Sequence, residues 1–112
     1  MRTYAEGVAE VTDADFDAEV LAAGRPVLVK FTAEWCGPCR QLAPVLAAIA
    51  AEESERLRVV EIDVDRNPET TVRYGVLATP TLMVFRAGEP VKSIVGARPK
   101  RRLLQDLEDV LA

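Results

Sequence analysis

Apolar and polar positions along the chain switch between a compact strand-like pattern and a helix-like stripe, in alternation from one end to the other. Val8 to Val11 reads as a short first strand. Thr12 follows as a helix cap, with Asp15 three residues on as its capping-box partner, and the helix it opens would bury Phe16, Val20 and Leu21 and stop at Gly24. Val27-Leu28-Val29, continuing through Lys30 to Phe31, is a β-branched run expected as a buried strand. A second helix should begin near Cys36, because Leu42, Val45, Leu46 and Ile49 fall at i, i+3, i+4 and i+7. Pro44 lies within that stripe and predicts a kink, not a break. Leu57 to Val64 is the next strand. Asn67-Pro68 then offers a cap and a first-turn proline to a short helix ending near Gly75. Thr81 to Phe85 and Pro90 to Val95 read as a hairpin turning through Arg86 to Glu89, and a last helix from about Lys100 buries Leu103, Leu104, Leu107, Val110 and Leu111. The predicted order is β-α-β-α-β-α-β-β-α, an α/β sheet with helices on both faces.

The chain has 112 residues, the size of a single domain, so residues 1–112 are expected to share one core. Hydrophobic residues make up 49% and charged residues 29%, an ordinary globular balance that argues against intrinsic disorder. The uncharged stretch Gln41 to Ala51 is too short to span a bilayer, so no membrane association is expected. Fourteen basic residues against 18 acidic ones give a net charge of -4, the wrong sign for a nucleic-acid binding module. Glu6 and Glu10 interrupt any apolar run near the start, so no signal peptide is read and a reducing, cytoplasmic setting is expected. The sequence contains no histidine, which excludes histidine catalysis and histidine metal ligation within this chain.

The candidate chemistry lies in Trp35-Cys36-Gly37-Pro38-Cys39. Two cysteines three apart at a helix start have Cα atoms roughly 5–6 Å apart, the spacing a disulfide prefers. Cys36 sits where the unpaired N–H groups and the positive end of the helix dipole favour a thiolate. Cys39, one turn deeper, is placed to attack a mixed disulfide formed on Cys36. Gly37 leaves room for a partner's backbone, and Pro38 fixes the helix entry at a position where its missing N–H costs little. A zinc or iron–sulfur site would need a second thiolate pair, hence a metal-bridged dimer, because these are the chain's two cysteines. A purely structural disulfide would close a loop too short to constrain much.

The run Phe31-Thr32-Ala33-Glu34-Trp35-Cys36-Gly37-Pro38-Cys39-Arg40 resembles the active-site signature of the thioredoxin family. The similarity extends over nearly the whole chain through Asp63-Val64-Asp65-Arg66-Asn67-Pro68, Tyr74-Gly75-Val76, Thr79-Pro80-Thr81-Leu82 and Val95-Gly96-Ala97, in family order. The resemblance implies a thioredoxin fold with a central mixed sheet. It also implies a dithiol–disulfide oxidoreductase that reduces protein disulfides, with Cys36 as attacking and Cys39 as resolving thiol. Pro80 matches the family's cis-proline, which packs against the disulfide. Thr79 before it would pair its backbone with the substrate chain. Trp35, Gly37, Pro38, Thr79, Pro80, Gly96 and Ala97 would form a shallow apolar docking surface, although Trp35 could also belong to the core and Gly96 could merely end a strand. The implied partners are disulfide-containing proteins and a thioredoxin reductase that regenerates the dithiol, with no bound cofactor or metal and a monomeric chain. An alternative from another class is a binding or assembly module that keeps the fold and has little redox activity.

The sequence departs from the family pattern in two places. Family members usually carry a buried aspartate six positions before the first cysteine, with a lysine across on the neighbouring strand; here Lys30 and Glu61 stand there, with the charges exchanged. Either the two form a buried pair beneath Cys39, or Lys30 snorkels to the surface and Glu61 is solvated. A buried pair would favour the dithiol and leave Glu61 or water to accept the proton of Cys39. Thr32 occupies a position where many relatives carry a tryptophan, at a loss of aromatic packing. Arg98-Pro99-Lys100-Arg101-Arg102 places four basic residues in five near the start of the last helix, read as a solvated face, with a steering patch for an acidic partner as the less favoured reading.

Overall fold

The structure is a computed structural model that describes residues 3–5 and 7–111. Six strands form one mixed sheet in the order β1-β2-β4-β3-β5-β6. They are β1 (Thr3–Ala5), β2 (Val8–Glu10), β3 (Val27–Thr32), β4 (Arg58–Asp63), β5 (Thr81–Arg86) and β6 (Glu89–Val95). β2, β4 and β3 run parallel, while β1, β5 and β6 pair antiparallel with their neighbours. Three α-helices accompany them: α1 (Gly37–Glu52), α2 (Pro68–Arg73) and α3 (Lys100–Leu111).

Side-chain alternation along the central strands divides the core in two. Leu28 of β3, Val59 of β4 and Leu82 and Val84 of β5 meet Leu42, Leu46 and Ile49 of α1 and Leu103, Leu107 and Val110 of α3. The intervening residues Val27, Val29, Phe31, Val60, Ile62 and Phe85 face the other side, against Phe16, Val20 and the partly buried Tyr74. There the rings of Phe16, Tyr74 and Phe85 pack mutually at 4.9–5.6 Å. The near-continuous apolar runs of β3 and β4 follow from burial on both faces.

Several elements differ from the sequence expectation. Strand β1 precedes the strand expected first, and the strand expected over Leu57 to Val64 is one residue shorter at each end. The first helix is only a π-helical turn over Asp17–Leu21, closed by an Ala22 N–H to Asp17 O bond, so it ends before Gly24. It still buries Phe16 and Val20. The capping box is half made: the Thr12 N–H donates to Asp15 Oδ1 at 2.6 Å. Pro44, as expected, does not break α1, which continues through it to Glu52. The β5–β6 turn holds Ala87 at φ 52° and Gly88 at φ 81°, the paired positive angles of a tight hairpin turn.

The cap of α2 is also a correction. Asn67 stands at the helix start but makes no side-chain cap. Its amide instead donates from Nδ2 to Asp63 O at 2.9 Å and accepts at Oδ1 from the Asp13 N–H at 2.8 Å. The cap comes from far along the chain: Asp13 Oδ1 and Oδ2 accept from the N–H groups of Thr70 (2.9 Å) and Glu69 (3.2 Å). Burial alone would push the Asp13 carboxyl up, but hydrogen bonds from Thr70 and Glu69 outweigh it and hold the carboxyl below its ordinary range.

Replacing Asp13 by Ala should therefore cost about 1 kcal/mol of stability at neutral pH, measured by urea unfolding. Because the folded-state pKa lies below the unfolded value, this contribution is full above about pH 4 and is lost as pH falls through the folded value. The gap between wild type and Asp13→Ala should close in acid. An equal gap at neutral pH and at pH ~2 would contradict the assignment.

Candidate active site

At the C-terminal edge of the central strands, β3 ends at Thr32 and the chain turns into α1. Cys36 is the N-cap of that helix, with extended backbone angles (φ −90°, ψ 106°), and Pro38 lies in the first turn, where its missing N–H leaves no helical bond unmade. Cys36 and Cys39 are joined as a disulfide with Cα atoms 5.3 Å apart, inside the range expected from their spacing. The Cys39 N–H donates to Cys36 Sγ at 3.2 Å. A sulfur thus occupies the place of an oxygen cap and receives one of the helix's orphan N–H groups. Cys36 is 3% exposed and Cys39 1%, so the expected difference in depth is small in this disulfide form.

Trp35 is 68% exposed, which removes the reading of a core tryptophan. Its indole Nε1 donates to Asp65 Oδ2 at 2.7 Å and fixes the ring beside the disulfide-bearing turn. Asp65 is itself held by the β4–α2 loop, where the Asp63 carboxylate accepts from the N–H groups of Asp65 (2.9 Å) and Arg66 (3.3 Å). Arg66 reaches back to Glu34 at 2.9 Å, and Arg40 donates to the Glu34 carbonyl at 2.8 Å. Asp65 and its loop escaped the sequence reading as site residues. The signal was present in Asp63-Val64-Asp65-Arg66-Asn67, whose polar groups brace one another.

The Thr79–Pro80 peptide is cis, as the resemblance implied for Pro80. The Pro80 carbonyl accepts from the Gly96 N–H at 2.8 Å, which joins the Thr79-Pro80 and Gly96-Ala97 segments. Gly96 has φ 95°, and a Cβ there would meet nothing within 4 Å. The backbone angle, not crowding, selects glycine. At Gly37 a Cβ would find only the Arg40 guanidinium at 3.8 Å, so the surface above Gly37 is open. Pro38, Ala97 and Val95 are exposed.

Beneath the disulfide, Lys30 and Glu61 face each other in register on β3 and β4. They are 3% and 5% exposed, so the reading in which Lys30 reaches solvent is set aside. Lys30 Nζ donates to the Cys39 carbonyl oxygen at 2.9 Å. Both line a cavity of about 270 Å³ together with Thr32, Cys39, Arg40 and Asp63, and the small Thr32 leaves that space open. Burial pulls the Lys30 ammonium's pKa down while Glu61 draws it back up. Burial pushes the Glu61 carboxyl up; Lys30 opposes this, and Glu10 and Asp63 reinforce it.

The basic run is largely neutralised. Arg98 and Arg102 engage Asp106, and Lys100 engages Glu52, which favours the solvated-face reading over a steering patch.

The thioredoxin family profile matches residues 7–109. The chain belongs to the thioredoxin family. It is 52% identical over 102 residues to a thioredoxin of Mycobacterium bovis, covering 91% of this chain and 88% of that one. A Streptomyces clavuligerus thioredoxin is 54% identical over 95 residues, covering 85% of this chain and 88% of the relative. A bifunctional thioredoxin reductase/thioredoxin of Mycobacterium leprae is 53% identical over 102 residues, 91% of this chain, which spans only 22% of that longer protein. With the disulfide-bonded Cys36–Cys39 pair, this membership makes the protein a dithiol–disulfide oxidoreductase with protein-disulfide reductase activity.

The exposure of Trp35 separates docking from folding. Trp35→Ala should change unfolding free energy by no more than about 1 kcal/mol, yet lower the second-order rate of protein-disulfide reduction about fivefold or more. A variant that unfolds while the rate per folded molecule is unchanged would return Trp35 to a structural role.

Proposed function

We propose that Cys36 is the attacking thiol and Cys39 the resolving thiol of this thioredoxin-family protein. The Cys36 thiolate attacks a sulfur of the substrate disulfide, and the displaced substrate thiolate takes up a proton. Cys39, deprotonated, then attacks Cys36 Sγ, so that the second substrate sulfur leaves and the Cys36–Cys39 disulfide forms. Two electrons pass from the protein dithiol to the substrate. The observation that carries the reading is the cap geometry: the N–H of Cys39 on Cys36 Sγ, at the positive end of α1, stabilises charge on the leading sulfur.

Substrate chains dock on Trp35, Gly37, Pro38, Thr79, Pro80, Gly96 and Ala97. The exposed indole, the open surface above Gly37 and the Pro80–Gly96 hydrogen bond support this surface; in this reading the half-buried Thr79 offers its backbone for short strand pairing. A thioredoxin reductase returns the disulfide to the dithiol; the Mycobacterium leprae relative carries both names in one chain. Disulfide-containing proteins and a reductase are the partners the family implies. We further read the protein as one domain over residues 1–112 acting as a cytoplasmic monomer. Among the described residues no helix is long and apolar enough to cross a membrane.

The test is the pair of single-sulfur variants. Cys36→Ser should lose protein-disulfide reduction by ~10²-fold or more. Cys39→Ser should instead accumulate a mixed disulfide with the substrate, visible by mass spectrometry and released by excess thiol. Retained turnover in Cys36→Ser, or a mixed disulfide trapped on Cys39 instead of Cys36, would overturn the assignment. A Cys36→Ser variant that binds substrate as strongly as wild type, alongside an inactive wild type, would favour the binding-module alternative.

A further inference from the structure

We propose that Lys30 is a positioning residue that sets the redox equilibrium of the Cys36–Cys39 couple by holding a buried positive charge against the first turn of α1. The inference rests on Cys36 and Cys39 being the exchanging sulfurs. Its basis is geometric. Lys30 is on β3, between β4 and β5, and 3% exposed, so its ammonium cannot retreat to solvent. The Nζ–Cys39 carbonyl bond of 2.9 Å pins that charge within a single residue's reach of Cys39 Sγ. Cys36 Sγ is bonded to Cys39 Sγ and also accepts the Cys39 N–H, so both sulfurs share the neighbourhood of the ammonium.

The other charged groups that face the cavity decide whether Lys30 stays positive. From β4, Glu61 lies opposite Lys30 in register and Asp63 lines the same space, its carboxylate accepting loop N–H groups. Glu10 of β2 pairs with Glu61 in register. From α1 and the loop before it come Arg40 and Glu34, joined by the Arg40 to Glu34 carbonyl bond. Two acidic groups of β4 thus face the ammonium across a cavity of about 270 Å³, large enough to admit water. Burial, the larger effect, moves Lys30 down and Glu61 up from their ordinary values, and each charge partly offsets this by favouring the ionised form of the other.

The consequence follows from the charge on sulfur in each redox state. The disulfide is neutral. Reduction by two glutathione thiols breaks the Cys36–Cys39 bond, forms oxidised glutathione and leaves two protein thiols that ionise as pH rises. Only the ionised dithiol feels the ammonium, and a nearby opposite charge lowers a thiol's pKa by about one to three units. Lys30 therefore stabilises the reduced protein, and makes it a weaker reductant, between the pH at which the first thiol ionises and the pH at which Lys30 itself, held below its ordinary value by burial, loses its proton. Below that window, with both thiols protonated, Lys30 has no such effect.

The experiment measures the glutathione equilibrium constant of the wild type, Lys30→Met, Lys30→Arg and Lys30→Met/Glu61→Gln across about pH 6–10, together with protein-disulfide reduction. In Lys30→Met the equilibrium should move about tenfold toward the disulfide where the effect is largest, a potential lower by ~30 mV. That gap should shrink toward zero in acid. Lys30→Arg should restore most of the wild-type value, because charge is the active property. The double variant, which leaves no unpaired buried carboxylate, should shift in the same direction and keeps the test valid if Lys30→Met folds poorly. An equilibrium constant unchanged at every pH, or a shift that is independent of pH and not rescued by Arg, would overturn the role of Lys30. A wild type with no reversible couple and no reductase activity would instead overturn the underlying assignment of Cys36 and Cys39.

Discussion

The contact between the Cys39 N–H and Cys36 Sγ does two jobs that the rest of the structure depends on. A helix that starts at Gly37 has N–H groups with no helical partner, and in an ordinary cap an oxygen side chain satisfies one of them. Here a sulfur does. The cap requirement places Cys36 in extended backbone and Cys39 one turn on, and that placement brings the two Cα atoms to 5.3 Å, within disulfide range. Folding of the helix start and positioning of the redox pair are therefore one constraint. When the bond opens, a thiolate at Cys36 would accept the same N–H more strongly than a disulfide sulfur does. The helix end would thereby bias which sulfur carries charge.

Around that junction the protein uses polar groups from distant segments to fix its rim. Asp13 caps α2, Asn67 ties the loop after β2 to the end of β4, and Asp63 organises the backbone that presents Asp65 to Trp35. Each bond links the next, so the exposed indole is held by a chain of hydrogen bonds that reaches the N-terminus of α2. On the inner side, Lys30 and Glu61 occupy the sheet face covered by α1, and the Lys30 ammonium touches the active-site helix at the Cys39 carbonyl. On the roles proposed above, the outer surface serves docking and the buried charges act on the sulfurs electrostatically.

Much of this was legible in the chain because it depends on local spacing. The i, i+3, i+4 pattern of α1 and α3, the β-branched run of β3 and the Cys36–Cys39 spacing each demand their structure from neighbouring residues alone. What escaped depends on long-range partners. The Asp13 cap could not be read from Asn67-Pro68, because the donor helix and the acceptor carboxylate are far apart in sequence and Asn67 resembles a local cap. The π-helical turn at Asp17–Leu21 retains the buried positions Phe16 and Val20, so periodicity could not distinguish it from a longer α-helix. The burial of Lys30 was undecided in sequence because a lysine on a strand has both snorkelling and pairing open to it. The parallel register with β4 and the cover of α1 decide between them.

The most direct measurement is a redox titration of the wild-type protein in which both thiols are counted by alkylation and mass spectrometry at each potential. The account predicts a single two-electron transition in which Cys36 and Cys39 gain or lose their alkylating label together. A protein that keeps one sulfur alkylated at every potential, or that shows no reversible transition, would contradict it.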